Sequence, residues 1–90
     1  MIRYHILLNG RVQGVGCRFF CQMNATTFSL TGFVRNLDNG MVELEIQGDE
    51  NLVNKFISIV TKGNKFIRID DYFIKKKDLV SNESSFKISY

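Results

Sequence analysis

Ninety residues leave room for one small domain, and a chain this short buries roughly 60–70% of the surface its unfolded form exposes. Its core must come from a 44% hydrophobic composition that includes eight phenylalanines, while 12 basic against 9 acidic residues give a net charge of +3. That mild excess suits an anionic ligand without demanding nucleic acid, and no apolar run approaches the roughly 20 residues of a membrane span.

The N-terminal apolar stretch reads as a strand, not a signal peptide. Ile2 to Asn9 alternates, with Tyr4, Ile6 and Leu8 on one face and Arg3, His5 and Leu7 on the other. A glycine-rich segment, Gly10 to Arg18, follows. Arg18 to Leu30 then reads as a helix whose core stripe is Cys17, Cys21, Ala25 and Phe28. Asn24, Thr26 and Thr27 are weak helix formers, so tertiary packing must hold it.

Thr31 to Leu37 returns as a strand, and Asn39-Gly40 signals a hairpin. Met41 to Gln47 alternates, with Val42, Leu44 and Ile46 inward and Glu43, Glu45 and Gln47 outward. Gly48-Asp49 offers an N-cap to a second helix, Glu50 to Lys62, which buries Val53, Phe56, Ile57 and Val60 and closes at Gly63. Phe66 to Lys75 reads as a fourth strand whose parity change implies a bulge near Asp70-Asp71. A polar loop, Asp78 to Ser84, precedes a last short strand, Phe86 to Tyr90.

The order is β-α-β-β-α-β with a small extra strand. Right-handed crossovers turn that order into an α+β, ferredoxin-like sandwich: an antiparallel sheet with two helices on one face. No linker or repeat divides residues 1–90, so a single domain is expected.

The segment with most to say about chemistry is Gly10-Arg11-Val12-Gln13-Gly14-Val15-Gly16-Cys17-Arg18. Glycines where a strand turns into a helix let a ligand approach the backbone, and free N–H groups at a helix start bind phosphate. Arg18 adds a planar, permanently charged fork suited to a phosphoryl group. The plain alternative is an ordinary glycine-rich turn beside a solvated arginine. Three known arrangements do not fit. A Walker loop needs a lysine after its last glycine and none precedes Lys55, a dinucleotide fingerprint needs glycine where Phe19 stands, and a cysteine phosphatase needs arginine where Met23 or Thr27 stands.

Gly-Arg-Val-Gln-Gly-Val-Gly-x-Arg resembles the signature of the acylphosphatase family. A second matching stretch follows: Gly32-Phe33-Val34-Arg35-Asn36-Leu37, then Asp38-Asn39-Gly40, Val42-Glu43 and Gln47-Gly48. The likeness extends over nearly the whole chain to Phe86-x-Ile88-x-Tyr90. It implies hydrolysis of acyl phosphates to a carboxylate and inorganic phosphate, with no cofactor and no metal. By the same resemblance Arg18 binds the phosphate and Asn36 orients the attacking water, while Val12, Gln13, Gly14, Val15, Gly16, Cys17 and Arg18 form the phosphate loop. Departures are modest: Cys17 stands where an aromatic is common, Phe33 replaces tryptophan, Ser29 replaces glycine, and Asn64-Lys65 replaces a turn that commonly contains proline.

The residue inventory fits such a reaction. His5 is the single histidine and sits mid-strand with no Ser or Asp partner evident nearby in sequence; Asp49-Glu50 and Asp70-Asp71 are explained by a helix start and a bulge. A mixed anhydride needs little acid–base help, so positioning and electrostatics suffice. Cys17 lies on the apolar stripe, which favours a core role over that of a nucleophile activated by Arg18. An RNA-binding module on the same framework would need aromatic platforms on its first and third strands, and the acidic third strand opposes it. Similar domains open larger carbamoyl-transfer proteins, and a third alternative is a pseudoenzyme that binds phosphate without turnover; the presence of both Arg18 and Asn36 favours a free-standing hydrolase. The expected setting is cytoplasmic and reduced, and the expected state is a monomer free of nucleic acid and membrane.

Overall fold

A computed structural model describes residues 1–90, and its elements run β1 (Ile2–Arg11), α1 (Cys17–Thr27), β2 (Thr31–Asn36), β3 (Val42–Gly48), α2 (Glu50–Lys62), β4 (Arg68–Lys77) and β5 (Phe86–Ile88). The sheet order is β4-β1-β3-β2-β5. The first four strands pair antiparallel, as the ferredoxin-like order requires. β5 is the exception: it joins the outer edge of β2 in parallel, which makes the sheet mixed. The final strand therefore reaches the site from a direction that alternation alone does not specify.

Both helices cover one face. Ile6, Leu8, Val34, Val42, Leu44 and Ile46 from the sheet meet Cys17, Cys21, Ala25, Val53, Phe56 and Val60 from the helices in one core. Fully burying a side chain of this class stabilises by about 1.5–3 kcal/mol, so this face holds the fold together. Phe28 and Ile57 lie at its margin, half-buried. The sequence carries α1 to Leu30, but the helix ends at Thr27. Ser29 adopts a left-handed φ of 57°, its N–H reaching Thr26 O at 3.1 Å while the Leu30 N–H reaches Ala25 O at 2.8 Å. That Schellman closure favours glycine, and serine carries a steric cost there.

The opposite face is less solvated than the alternation implies. Arg3 and Gln47, read as outward-facing, are 2% and 6% exposed. The polar segment after β4 crosses this face on its way to β5. Gln47 Nε2 donates to Val80 O at 3.0 Å, and the Val80 N–H donates to Gln47 Oε1 at 2.9 Å. Arg3 pairs with Glu45 at 2.7 Å and Glu83 at 2.8 Å. Burial would raise the Glu83 carboxyl, but hydrogen bonds from Arg3 and Thr31 and the Arg3 charge hold it below its ordinary value. His5 contacts Glu43 at 2.9 Å and Arg35 pairs with the same carboxylate; these partners hold Glu43 low, His5 most strongly. The strap thus fixes the approach of β5.

At the β1–β4 edge the register shifts between Asn9 and Gly10, with Asn9 opposite Asp71 and Gly10 opposite Ile69. Asp70 is the extra residue, so the bulge lies where the parity change places it. Gly10 belongs to β1 and not to the loop beyond it.

Candidate active site

β1 runs to Arg11, and residues 12–16 then turn the chain into α1. Gly14 and Gly16 have φ of 73° and 80°, values that residues with a Cβ rarely adopt. A Cβ at either position would meet nothing within 4 Å, so backbone conformation and not crowding selects glycine here. The loop is tied to the β2–β3 hairpin by Gln13, whose Nε2 donates to Leu37 O at 2.8 Å and Met41 O at 2.9 Å. The hairpin turns through Asp38-Asn39, with Gly40 at φ 91°.

Gly16 is the N-cap of α1. It supplies no side-chain cap, and the first turn contains no acidic residue. The amides opening a helix have no partners within it, and together they carry about half a positive charge. At α1 no side chain of the protein occupies that position.

Asn36 enters from the end of β2. Alternation puts it on the same face as buried Val34, toward the helices, while Arg35 turns to the opposite face and Glu43. Arg18 is half-buried and belongs to no ion pair of the protein. Its guanidinium lies 4.9 Å from the centre of the Tyr90 ring. Such a stack steers an arginine without consuming its charge.

These parts surround a cleft of about 320 Å³ lined by Val12, Gly14, Gly16, Cys17, Arg18, Phe19, Asn36, Ile88 and Tyr90. Five of the seven expected loop residues line it. Gln13 and Val15 do not: Gln13 is the brace just described, and Val15 packs against the core. Phe19, Ile88 and Tyr90 were missed as site residues. The alternation of Phe86, Ile88 and Tyr90 was visible, but only the parallel docking of β5 beside β2 brings that row to the cleft.

No aspartate, glutamate or histidine lines the cleft, and no three such side chains or cysteines are grouped so as to hold a metal ion. Cys17 touches the cleft, but the residue is 2% exposed and belongs to the core. Cys21, 0% exposed, shares a hydrogen bond with it; that bond and burial push the Cys21 thiol up. The same contact lowers the Cys17 thiol against the burial that would raise it, but at 2% exposure Cys17 presents almost no surface to an incoming ligand, which favours a packing role over that of a nucleophile. The arrangement can hold a compact anion between backbone amides and Arg18, with an uncharged amide beside it.

The acylphosphatase family model matches residues 4–88. An acylphosphatase of Clostridium acetobutylicum is 48% identical over 90 residues, spanning 100% of this chain and 99% of its own. One from Clostridium beijerinckii is 47% identical, with all of both chains covered. Among solved structures, the acylphosphatase from Bacillus subtilis superposes with a TM-score of 0.94 at 38% identity over the whole of both chains. With this fold and this full-length likeness, the chain belongs to the acylphosphatase family of hydrolases.

Proposed function

We propose that the chain hydrolyses the carboxyl–phosphate bond of acyl phosphates at the cleft between the α1 N-terminus and Asn36. The observation that carries this reading is one helix N-terminus without a side-chain cap facing the same cleft as a free arginine and a neutral amide. The amides of the loop through Arg18 donate to the phosphoryl oxygens, and the Arg18 guanidinium neutralises charge that builds there. Both are in place before reaction, so little reorganisation is needed.

The Asn36 carbonyl oxygen accepts a hydrogen bond from water and aims its lone pair at phosphorus, opposite the carboxylate leaving oxygen. The new P–O bond forms as the bond to the carboxylate oxygen breaks. The products are a carboxylate and inorganic phosphate, and the proton lost from water passes to solvent. A carboxylate leaves without protonation, which accounts for a reaction run without a general acid from the protein. Neither a metal nor a cofactor takes part. The grip is on the phosphate, so the acyl group is loosely specified.

The outer face of the sheet argues against the RNA-binding alternative. β1 and β3 place Arg3, His5, Leu7, Glu43, Glu45 and Gln47 there, with no aromatic on that side of either central strand; Phe33 and Phe73 reach that face only from the flanking strands β2 and β4. No helix is long and apolar enough to cross a membrane. Two free, buried thiols suit a reducing compartment, and we read the protein as a cytoplasmic monomer.

The test is hydrolysis of benzoyl phosphate, followed by ultraviolet absorbance with chelator present, for wild type and Asn36→Ala. The expected result is fast wild-type turnover, with kcat reduced by about 10²–10³ in the variant and KM nearly unchanged. Phosphate binding without wild-type turnover would leave a binding module in place of an enzyme.

A further inference from the structure

A second cleft, of about 360 Å³, opens where the ends of β1 and α2 meet the start of β4. Arg11, Lys62, Lys65 and Arg68 line it, together with Phe66 and Asn64, and no carboxylate does. Only Arg68 has an acidic partner, Asp70 at 2.9 Å; Arg11, Lys62 and Lys65 enter no ion pair. A basic residue in the last turn of a helix complements its dipole, which accounts for Lys62. It does not account for the other three, which come from different segments.

The wall of the cleft is a rigid turn. Asn64 Oδ1 accepts from the N–H groups of Phe66 and Ile67, both at 2.8 Å, and the Asn64 N–H donates to Ile67 O at 3.0 Å. Ile67, 2% exposed, anchors that turn in the core, while Phe66 is left 60% exposed with the Lys65 ammonium 5.8 Å from its ring centre. Arg11, Lys62 and Lys65, gathered without counter-charges, repel one another, and a ligand bearing several negative charges relieves that repulsion. An exposed ring beside them offers a stacking surface for a flat heterocycle.

We propose that this cleft is a second anion site, separate from the catalytic one, that binds a nucleoside di- or triphosphate, with the phosphate chain among Arg11, Lys62, Lys65 and Arg68 and the base against Phe66. The space corresponds to about a dozen water volumes, enough for a phosphate chain and part of a base.

The test is titration calorimetry with ATP, inorganic triphosphate and adenosine on full-length Arg18→Ala, a background that removes the catalytic arginine as a competing anion site. ATP is expected to bind, and to weaken about tenfold or more when Lys62→Gln and Lys65→Gln are added together, a loss of two charge contacts. Phe66→Ala should weaken ATP severalfold while leaving inorganic triphosphate unchanged, and rising salt should weaken both anions. Benzoyl phosphate hydrolysis in the otherwise wild-type Lys62→Gln/Lys65→Gln protein should be unaltered, which also shows that it folds. Failure of ATP to bind the Arg18→Ala protein, or binding indifferent to the lysine pair, would overturn the site. Equal affinity for ATP and inorganic triphosphate, unaffected by Phe66→Ala, would overturn the nucleoside assignment.

Discussion

The two helices of this chain begin in opposite ways. α2 starts behind Asp49, whose carboxylate accepts from the Leu52 N–H at 3.2 Å, and Glu50 follows in the first turn. α1 starts behind Gly16, with no side-chain acceptor, no acidic residue and a basic Arg18 as its second residue. At α2 the orphan amides and the helix dipole are satisfied by the protein itself. At α1 the same physical need is left open to whatever anion enters the cleft. A glycine N-cap lowers helix stability by only about a few tenths of a kcal/mol relative to a side-chain cap, and it leaves the first amides of α1 without an internal acceptor.

Breaking the open end should cost most. Arg18→Ala and Asn36→Ala should each lower kcat for benzoyl phosphate by at least about 10², with unchanged circular dichroism. Folded protein with near-normal turnover in either case would remove that residue from the mechanism. Making α1 resemble α2 is the next largest change. Gly16→Asp brings a carboxylate to the helix start in a left-handed backbone (φ 80°) that a Cβ strains, and like charges about 4 Å apart near a surface repel by about 4 kcal/mol. Inhibition by inorganic phosphate should weaken by about tenfold or more, whereas Gly16→Asn, similar in shape and uncharged, should lose less.

Smaller effects fall on stability and leave the cleft alone. Asp49→Ala should cost about 1 kcal/mol in urea unfolding with kcat unchanged, since that cap serves only α2. At the other end of α1, Ser29→Gly should stabilise by about 1 kcal/mol, because glycine takes the left-handed φ of 57° without serine's steric cost. Acidification should act on the outer face. Glu43 and Glu83 are held below the ordinary value of 4.5. The stability they contribute is complete above that unfolded-state value and is lost as pH falls through their lower folded values. A thermal midpoint that holds from pH 7 to 5 and drops below pH 4.5 is the expected profile, and the drop should shrink in Glu43→Gln/Glu83→Gln.

The same contrast shows which parts of the molecule were legible in the sequence. Asp49, Glu50 and Gly63 are local signals, and the α2 boundaries agree with them to the residue. The inner core followed from alternation and helical spacing because one face of each element meets one common layer. The outer face did not follow. Arg3 and Gln47 are buried by a strap some 33 to 80 residues away in sequence, and no local period encodes such a contact. The cleft was legible where its residues sit in motifs, as Gly14, Gly16, Arg18 and Asn36 do. Tyr90 was not, since its position over Arg18 depends on a parallel strand pairing that alternation cannot express.

The asymmetry of the two helix starts is tested most directly by titrating ¹⁵N-labelled protein with inorganic phosphate and following the backbone amide resonances. Saturable shifts concentrated on residues 14–19, with the amides of Glu50 to Leu52 unmoved, are the predicted result. Shifts of similar size at both helix starts, or none at residues 14–19, would contradict the claim that the α1 terminus is kept open to hold phosphate.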